Sequence, residues 1–171
     1  DTIIAGPWDF SVNTDIDRSK WRTLDITSQQ LNAYAQGRYR FSTLAATIQN
    51  TLHRRLPNLV PYKSVTSRAD TMQFAISFQD TTLLRRVALQ KVSIPSLATI
   101  EGKLYGHDSL NVKANIPTIY IGKEHLRNTN ISVKGTPKEF LTNINTDRKH
   151  KRGFVNYSLR TDAHDDRLAI I

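Results

Sequence analysis

The residues with the most evident chemistry stand in a row: Arg148, Lys149, His150, Lys151 and Arg152, framed by Asp147 and Gly153. Consecutive cations on a loop can contact phosphates, each contact releasing condensed counterions. They can equally form a solvated hairpin tip that discourages wrong association, and no aromatic residue interrupts the run to stack on bases. Arg54 with Arg55 makes a second basic pair and Arg85 with Arg86 a third. At a helix C-terminus such a pair complements the dipole, and on an edge strand it guards against unwanted pairing. Arg148, Lys149, His150, Lys151, Arg152, Arg54 and Arg55 are the candidate contacts to nucleic acid or an acidic partner.

Other constellations fall short of a reactive centre. His164, Asp165 and Asp166, with Asp162 nearby, offer imidazole and carboxylate groups. Neighbours on an extended chain point to opposite faces, whereas a metal needs convergent ligands, so an exposed acidic turn is expected. His53, His107, His125 and His150 are scattered singly. There is no GxSxG elbow. Gly122-Lys123 and Gly135-Thr136 lack the rest of a phosphate loop. The absence of cysteine excludes disulfides, thiolate zinc sites and cysteine nucleophiles. The expectation is a protein that is not an enzyme and uses no metal or cofactor.

The frame that must present these groups is one domain over residues 1–171, with residues 1–20 as a candidate extended arm. Lys and Arg number 24 against 15 Asp and Glu, a net charge of +9. That excess favours an anionic partner: nucleic acid, an acidic membrane surface or an acidic neighbour in an assembly. No run of about 18 apolar residues is present, and the first residues lack the basic start of a signal peptide. A virion setting, or otherwise an intracellular one, fits a cysteine-free chain. Asn130-Ile131-Ser132 and Asn156-Tyr157-Ser158 are formal glycosylation acceptors.

Periodicity supplies the elements. Trp8, Phe10 and Val12 alternate, a polar break covers 13–20, and Trp21, Leu24 and Ile26 read as a second extended piece before a turn at Gln36-Gly37. One amphipathic helix is expected over about 43–55: Ser42 caps it, Leu44, Ile48 and Leu52 with Ala45 and Leu56 form its apolar stripe, and Pro57 stops it. Met72, Phe74, Ile76 and Phe78 then alternate as a half-buried strand. In RVALQKVSI the apolar phase slips by one, as at a bulge. Further extended segments are expected at 110–112, 117–121, 131–133, 154–159 and 168–171. Turns are expected at Glu101-Gly102, Gly106-His107-Asp108, Gly135-Thr136-Pro137 and Arg152-Gly153. The terminal LAII reads either as a paired strand or as the point where a longer polypeptide continues. The pattern is mainly β, a single β-sandwich with one helix.

One ordering resembles a known family. Gly37-Arg38-Tyr39, then Leu44-Ala45, Ile48 and Leu52, then Phe74-Ala75-Ile76, is similar to a "GxYxxxxLaxxIxxxL…xFxI" segment of jelly-roll virion structural proteins of double-stranded DNA viruses and related elements. IPTIYIGKEHLRNTN resembles a strand and loop that follow in the same proteins. The likeness covers about residues 35–135. It implies a jelly-roll-like fold and a capsid or minor virion component that works by assembly, with other copies and neighbouring structural proteins as partners and no catalytic residues. The alternatives are a nucleic-acid-binding module and a basic matrix-type protein at an anionic membrane surface.

Overall fold

The computed structural model describes residues 10–58, 60–64, 71–78, 92–95, 97–106, 109–164 and 167–170. It is mainly β with a single helix among the described residues, as expected. The strands are β1 (Phe10–Ile16), β2 (Arg22–Ser28), β3 (Leu31–Arg38), β4 (Thr71–Phe78), β5 (Val92–Ser93), β6 (Ala98–Tyr105), β7 (Ser109–Ile121), β8 (Glu124–Gly135), β9 (Phe140–His150), β10 (Gly153–His164) and β11 (Arg167–Ile170). The helix α1 (Phe41–His53) lies between β3 and β4.

All eleven strands belong to one antiparallel open sheet in the order β1-β2-β3-β4-β6-β7-β8-β9-β10-β11, and β5 pairs with the far end of β7. A jelly roll would distribute its strands over two sheets joined by Greek-key crossings. Here nearly every strand pairs with its neighbour in sequence. Two-residue turns explain much of this: Gly122, at φ 62, lets Ile121 and Glu124 face each other across Gly122-Lys123. Phe10–Ile16, within the candidate arm, pairs fully with β2, and residues 1–9 lie outside the described residues. Asp17 closes that hairpin by accepting hydrogen bonds from the Ser19 and Trp21 amides and the Ser19 hydroxyl, which hold its carboxyl below the usual range.

A row in register crosses the sheet: Gly37, Met72, Leu104, Leu110, Gly135, Phe140 and Ala163. All but Phe140, which is half-buried, are buried. The helix lies on this inner face. Leu44 packs with Ala35, Tyr39 and Met72, α1 approaches β7, and the residues just past α1 share a cleft with the β8–β9 turn and the end of β10. A second small core, Ile94, Ala98, Ile116 and Ile119 with Phe78, Val92 and Leu126, fills the inner face at the opposite end.

Several expectations change. Gln36-Gly37 is no turn but the end of β3, where φ is 145 at Gly37 and an added Cβ would lie 2.1 Å from the Thr71 carbonyl oxygen. Glu101-Gly102 lies inside β6, and only glycine leaves room there for the Phe74 ring. The expected segments 110–112 and 117–121 are one strand, β7. Arg40, without a side-chain cap bond, is the N-cap in place of Ser42. The slip in RVALQKVSI and the Arg85-Arg86 pair fall mostly or wholly outside the described residues.

The helix also turns a different face inward. Ala46, Thr47, Asn50 and Thr51 are buried, while Ile48 of the expected stripe is exposed. The cause is what α1 has to hold. Asn50 donates to the Lys63 carbonyl at 2.8 Å and accepts from the Lys63 amide at 2.9 Å. Gln49 donates to the Pro61 carbonyl, and His53 Nδ1 donates to the Val60 carbonyl. The returning chain presents backbone, and only polar side chains satisfy buried backbone groups.

Candidate functional site

The seven candidate cations do not form one surface. β9 and β10 run between opposite ends of the sheet, roughly 40 Å apart by strand rise. Arg148 to Arg152 sit at one end, and Arg54 and Arg55 follow α1 at the other. Arg54 is the exposed C-cap of α1. Arg55 is 2% exposed and its Nη1 donates to the Thr51 carbonyl, so its guanidinium belongs to the interior of the helix end. Both border a cleft of about 680 Å³ with Pro57, Pro137, Lys138, Glu139, Asp162 and His164. In that cleft His164 Nδ1 lies 3.4 Å from Asp162; Asp165 and Asp166 lie outside the described residues. Among the described residues no cluster of three or more His, Cys, Asp or Glu could hold a metal.

The run Arg148 to Arg152 is divided by strand alternation. Arg148, Lys149 and His150 end β9, and only Lys151 and Arg152 form the turn. Arg148 shares the inner face with Leu126 and Val155, its partners in register. There Glu124 takes both its Nε (2.6 Å) and its Nη2 (2.7 Å). Such a bidentate pair is strong and directional. It holds the Glu124 carboxyl below its ordinary value and raises the Arg148 guanidinium. His150, on the same face, meets the Tyr157 hydroxyl at 3.2 Å.

Lys149 takes the outer face and joins groups that the sequence does not place near it. It is opposite Phe154, while Tyr120 is opposite His125. Because Leu126 faces Arg148, His125 stands beside Lys149. Tyr120 stacks on His125 with centroids 4.5 Å apart and planes inclined by 21°, and His125 meets Phe154 edge-on at 5.4 Å. The Arg127 guanidinium lies 4.9 Å from the Phe154 centroid, a cation–π contact. Asp147, facing Arg127, accepts from Asn128 and Asn156 at 2.8 Å each, bonds that hold its carboxyl low.

The local fold that builds this patch contains an irregularity. The β7–β8 ladder skips Pro117 opposite Asn128, whose φ is 51, and the β8–β9 register shifts by one between Arg127 and Asn130. Pro lacks the amide a continuous ladder would use, and the extra residue is a bulge. Beyond it Ile119 and Leu126 still turn inward, leaving Tyr120, His125 and Arg127 outside.

Tyr120, His125, Arg127 and Phe154 escape the sequence reading because they are separated along the chain. Two turns would have revealed them: Gly122-Lys123 sets Tyr120 across from His125, and the turn before Gly153 sets Lys149 across from Phe154.

Comparison with known proteins returns no match: no family model, no curated protein and no solved structure is significantly similar to this chain. The fold and surface define a mainly β, antiparallel open-sheet protein with one helix on its inner face.

Proposed function

We propose that this chain is a structural assembly protein of a virion or similar shell, joined to copies of itself and to neighbouring structural proteins through its sheet edges. The observation that carries this is the outer edge of β10. β11 covers only Thr161 to His164, so Gly153 to Arg160 has no partner strand on that side among the described residues. Phe154, Val155, Tyr157 and Leu159 along it are 40–45% exposed. A long edge with apolar side chains on both faces is a hazard for a protein that acts alone, and natural sheets blunt it with lysine, proline or a covering element. From Gly153 to Leu159 this edge carries none of those charges or prolines. At the other edge, β1 exposes Val12 (49%) and Ile16 (54%).

A neighbour's strand would pair the open backbone and cover these side chains. Edge pairing of that kind continues one sheet from copy to copy. The test is the mass of the protein in solution across a concentration series, by light scattering or sedimentation. The native chain should grow with concentration, and the double substitution Val155→Lys with Leu159→Lys should hold it at the monomer. A native chain that stays monomeric throughout the series would sink the proposal.

A further inference from the structure

The outer-face patch at the far end of β7 to β10 combines features that a packing role does not require together. Cross-strand aromatic pairs stabilise a sheet by roughly 0.2–1 kcal/mol through mutual contact. Tyr120 and Phe154 nevertheless keep 40% of their surface in water. Around them stand exposed cations: Arg127 and Lys149 in the strands, and Lys123, Lys151 and Arg152 in the two turns at the same end. The turns following β7 and β9 are neighbours because both strands run toward that end. The carboxylates are accounted for. Glu124 is bound to Arg148 on the inner face, and Asp147 is occupied by two amide groups on the outer one.

We propose that this patch is a platform for single-stranded nucleic acid, with bases stacking on Tyr120, His125 and Phe154 while the five cations hold the phosphate backbone. An open β surface carrying rings among cations suits unpaired bases, whose faces are free to stack. From β7 to β10 there are three strand intervals, roughly 14 Å, which is room for two or three bases. A duplex hides its base faces, and a sheet surface of this kind enters neither groove, so it would bind by charge alone. An acidic protein would use the cations and leave the rings idle. Phe154 belongs to both this surface and the β10 edge, but the assembly substitutions Val155→Lys and Leu159→Lys lie on the inner face, opposite Arg148 and Ile144, so the two proposals fail separately.

The test is fluorescence anisotropy with the whole chain, labelled oligo(dT), and a duplex of equal length, between about 50 mM and 200 mM salt. The single strand should bind more tightly than the duplex. Phe154→Ala should weaken single-strand binding roughly 5- to 100-fold. Phe154→Leu, which keeps apolar bulk without a ring, should behave like alanine, and Phe154→Trp should restore binding. Lys149→Gln should reduce the slope of log affinity against log salt by about 0.7. Far-UV circular dichroism of each variant confirms the fold, and Phe154→Leu against Phe154→Trp separates stacking from packing. Equal affinity for duplex and single strand with no response to Phe154→Ala would overturn the proposal. So would absence of binding at the lower salt, or a polyglutamate chain that displaces the oligonucleotide at equal charge.

Discussion

At the end of the sheet where α1 lies, Thr47, Asn50, Thr51 and Arg55 are buried and bonded to backbone. At the other end, Tyr120, Phe154 and Tyr157 stand in solvent among cations. Hydrophobic burial alone would place these groups the other way round. Asn50 goes inside because its partner is a stretch of backbone that needs a donor and an acceptor, and Thr47, Thr51 and Arg55 go inside by bonding carbonyls one turn back in α1. Rings stay outside where strands are long, the sheet is open and no described element covers them. The helix end is therefore the part of the molecule whose residues hold the fold. The hairpin end is the part whose residues are free to meet something else.

Substitutions can break this contrast. Leu104→Ala, beneath the helix and 1% exposed, should have the largest effect, a loss of about 3 kcal/mol, with 2–5 the usual span for a buried leucine; urea unfolding measures it. Asn50→Ala strands both the amide and the carbonyl of Lys63 and should cost about 2 kcal/mol. Asn50→Asp, which sets a buried carboxylate oxygen against the Lys63 carbonyl oxygen, should cost at least as much. At the other end Phe154→Ala should cost no more than about 1 kcal/mol, the span of a cross-strand ring contact on an exposed face. A loss there as large as at Asn50 would erase the distinction between the two ends.

Acid should act selectively on the hairpin end. Glu124 is held low chiefly by its hydrogen bonds from Arg148, and Asp147 by those from Asn156 and then Asn128. A carboxyl depressed in the folded state contributes stability above its unfolded pKa and loses that contribution as pH falls through the folded value. Protection of the amides in β8 to β10, measured as exchange relative to each amide's intrinsic rate at the same pH, should therefore fall on acidification through the carboxylate range. Glu124→Gln should flatten part of that dependence. The effect should be small, because both groups are partly open to solvent and screened.

The mainly β character, the helix and the strand at Thr71–Phe78 were legible because their side chains alternate or recur with a clear period. β9 was not: LTNINTDRKH mixes polar residues on both faces, and a strand half-buried on both sides for most of its length has no apolar period to read. β6 was hidden because Gly102 looks like a turn residue, whereas it is there to admit the Phe74 ring 2.6 Å from where its Cβ would be. The skipped Pro117 put Ile116 and Ile119 out of phase, so one strand read as two. At the candidate site, the sequence showed the cations but not their division. Arg148 and Lys149 are adjacent along the chain and lie on opposite faces, and only the strand register reveals which rings Lys149 joins.

The order of the sheet has a geometric consequence for how copies could join. Direction alternates along the path from β1 to β11, and the path contains an even number of strands, so the two boundary strands point opposite ways. A second molecule laid with its β1 beside the first molecule's β11 continues the same up-and-down weave without a parallel pair, whereas the same β1 laid along the open stretch of β10 would run parallel to it. That contact is heterologous: it leaves a fresh β1 at one side and a fresh β11 at the other, so nothing in it stops at two. It produces a ring when the rotation between neighbours closes and a ribbon when it does not. The parity of the strand count thus supplies a polarity, a growing front and a trailing one.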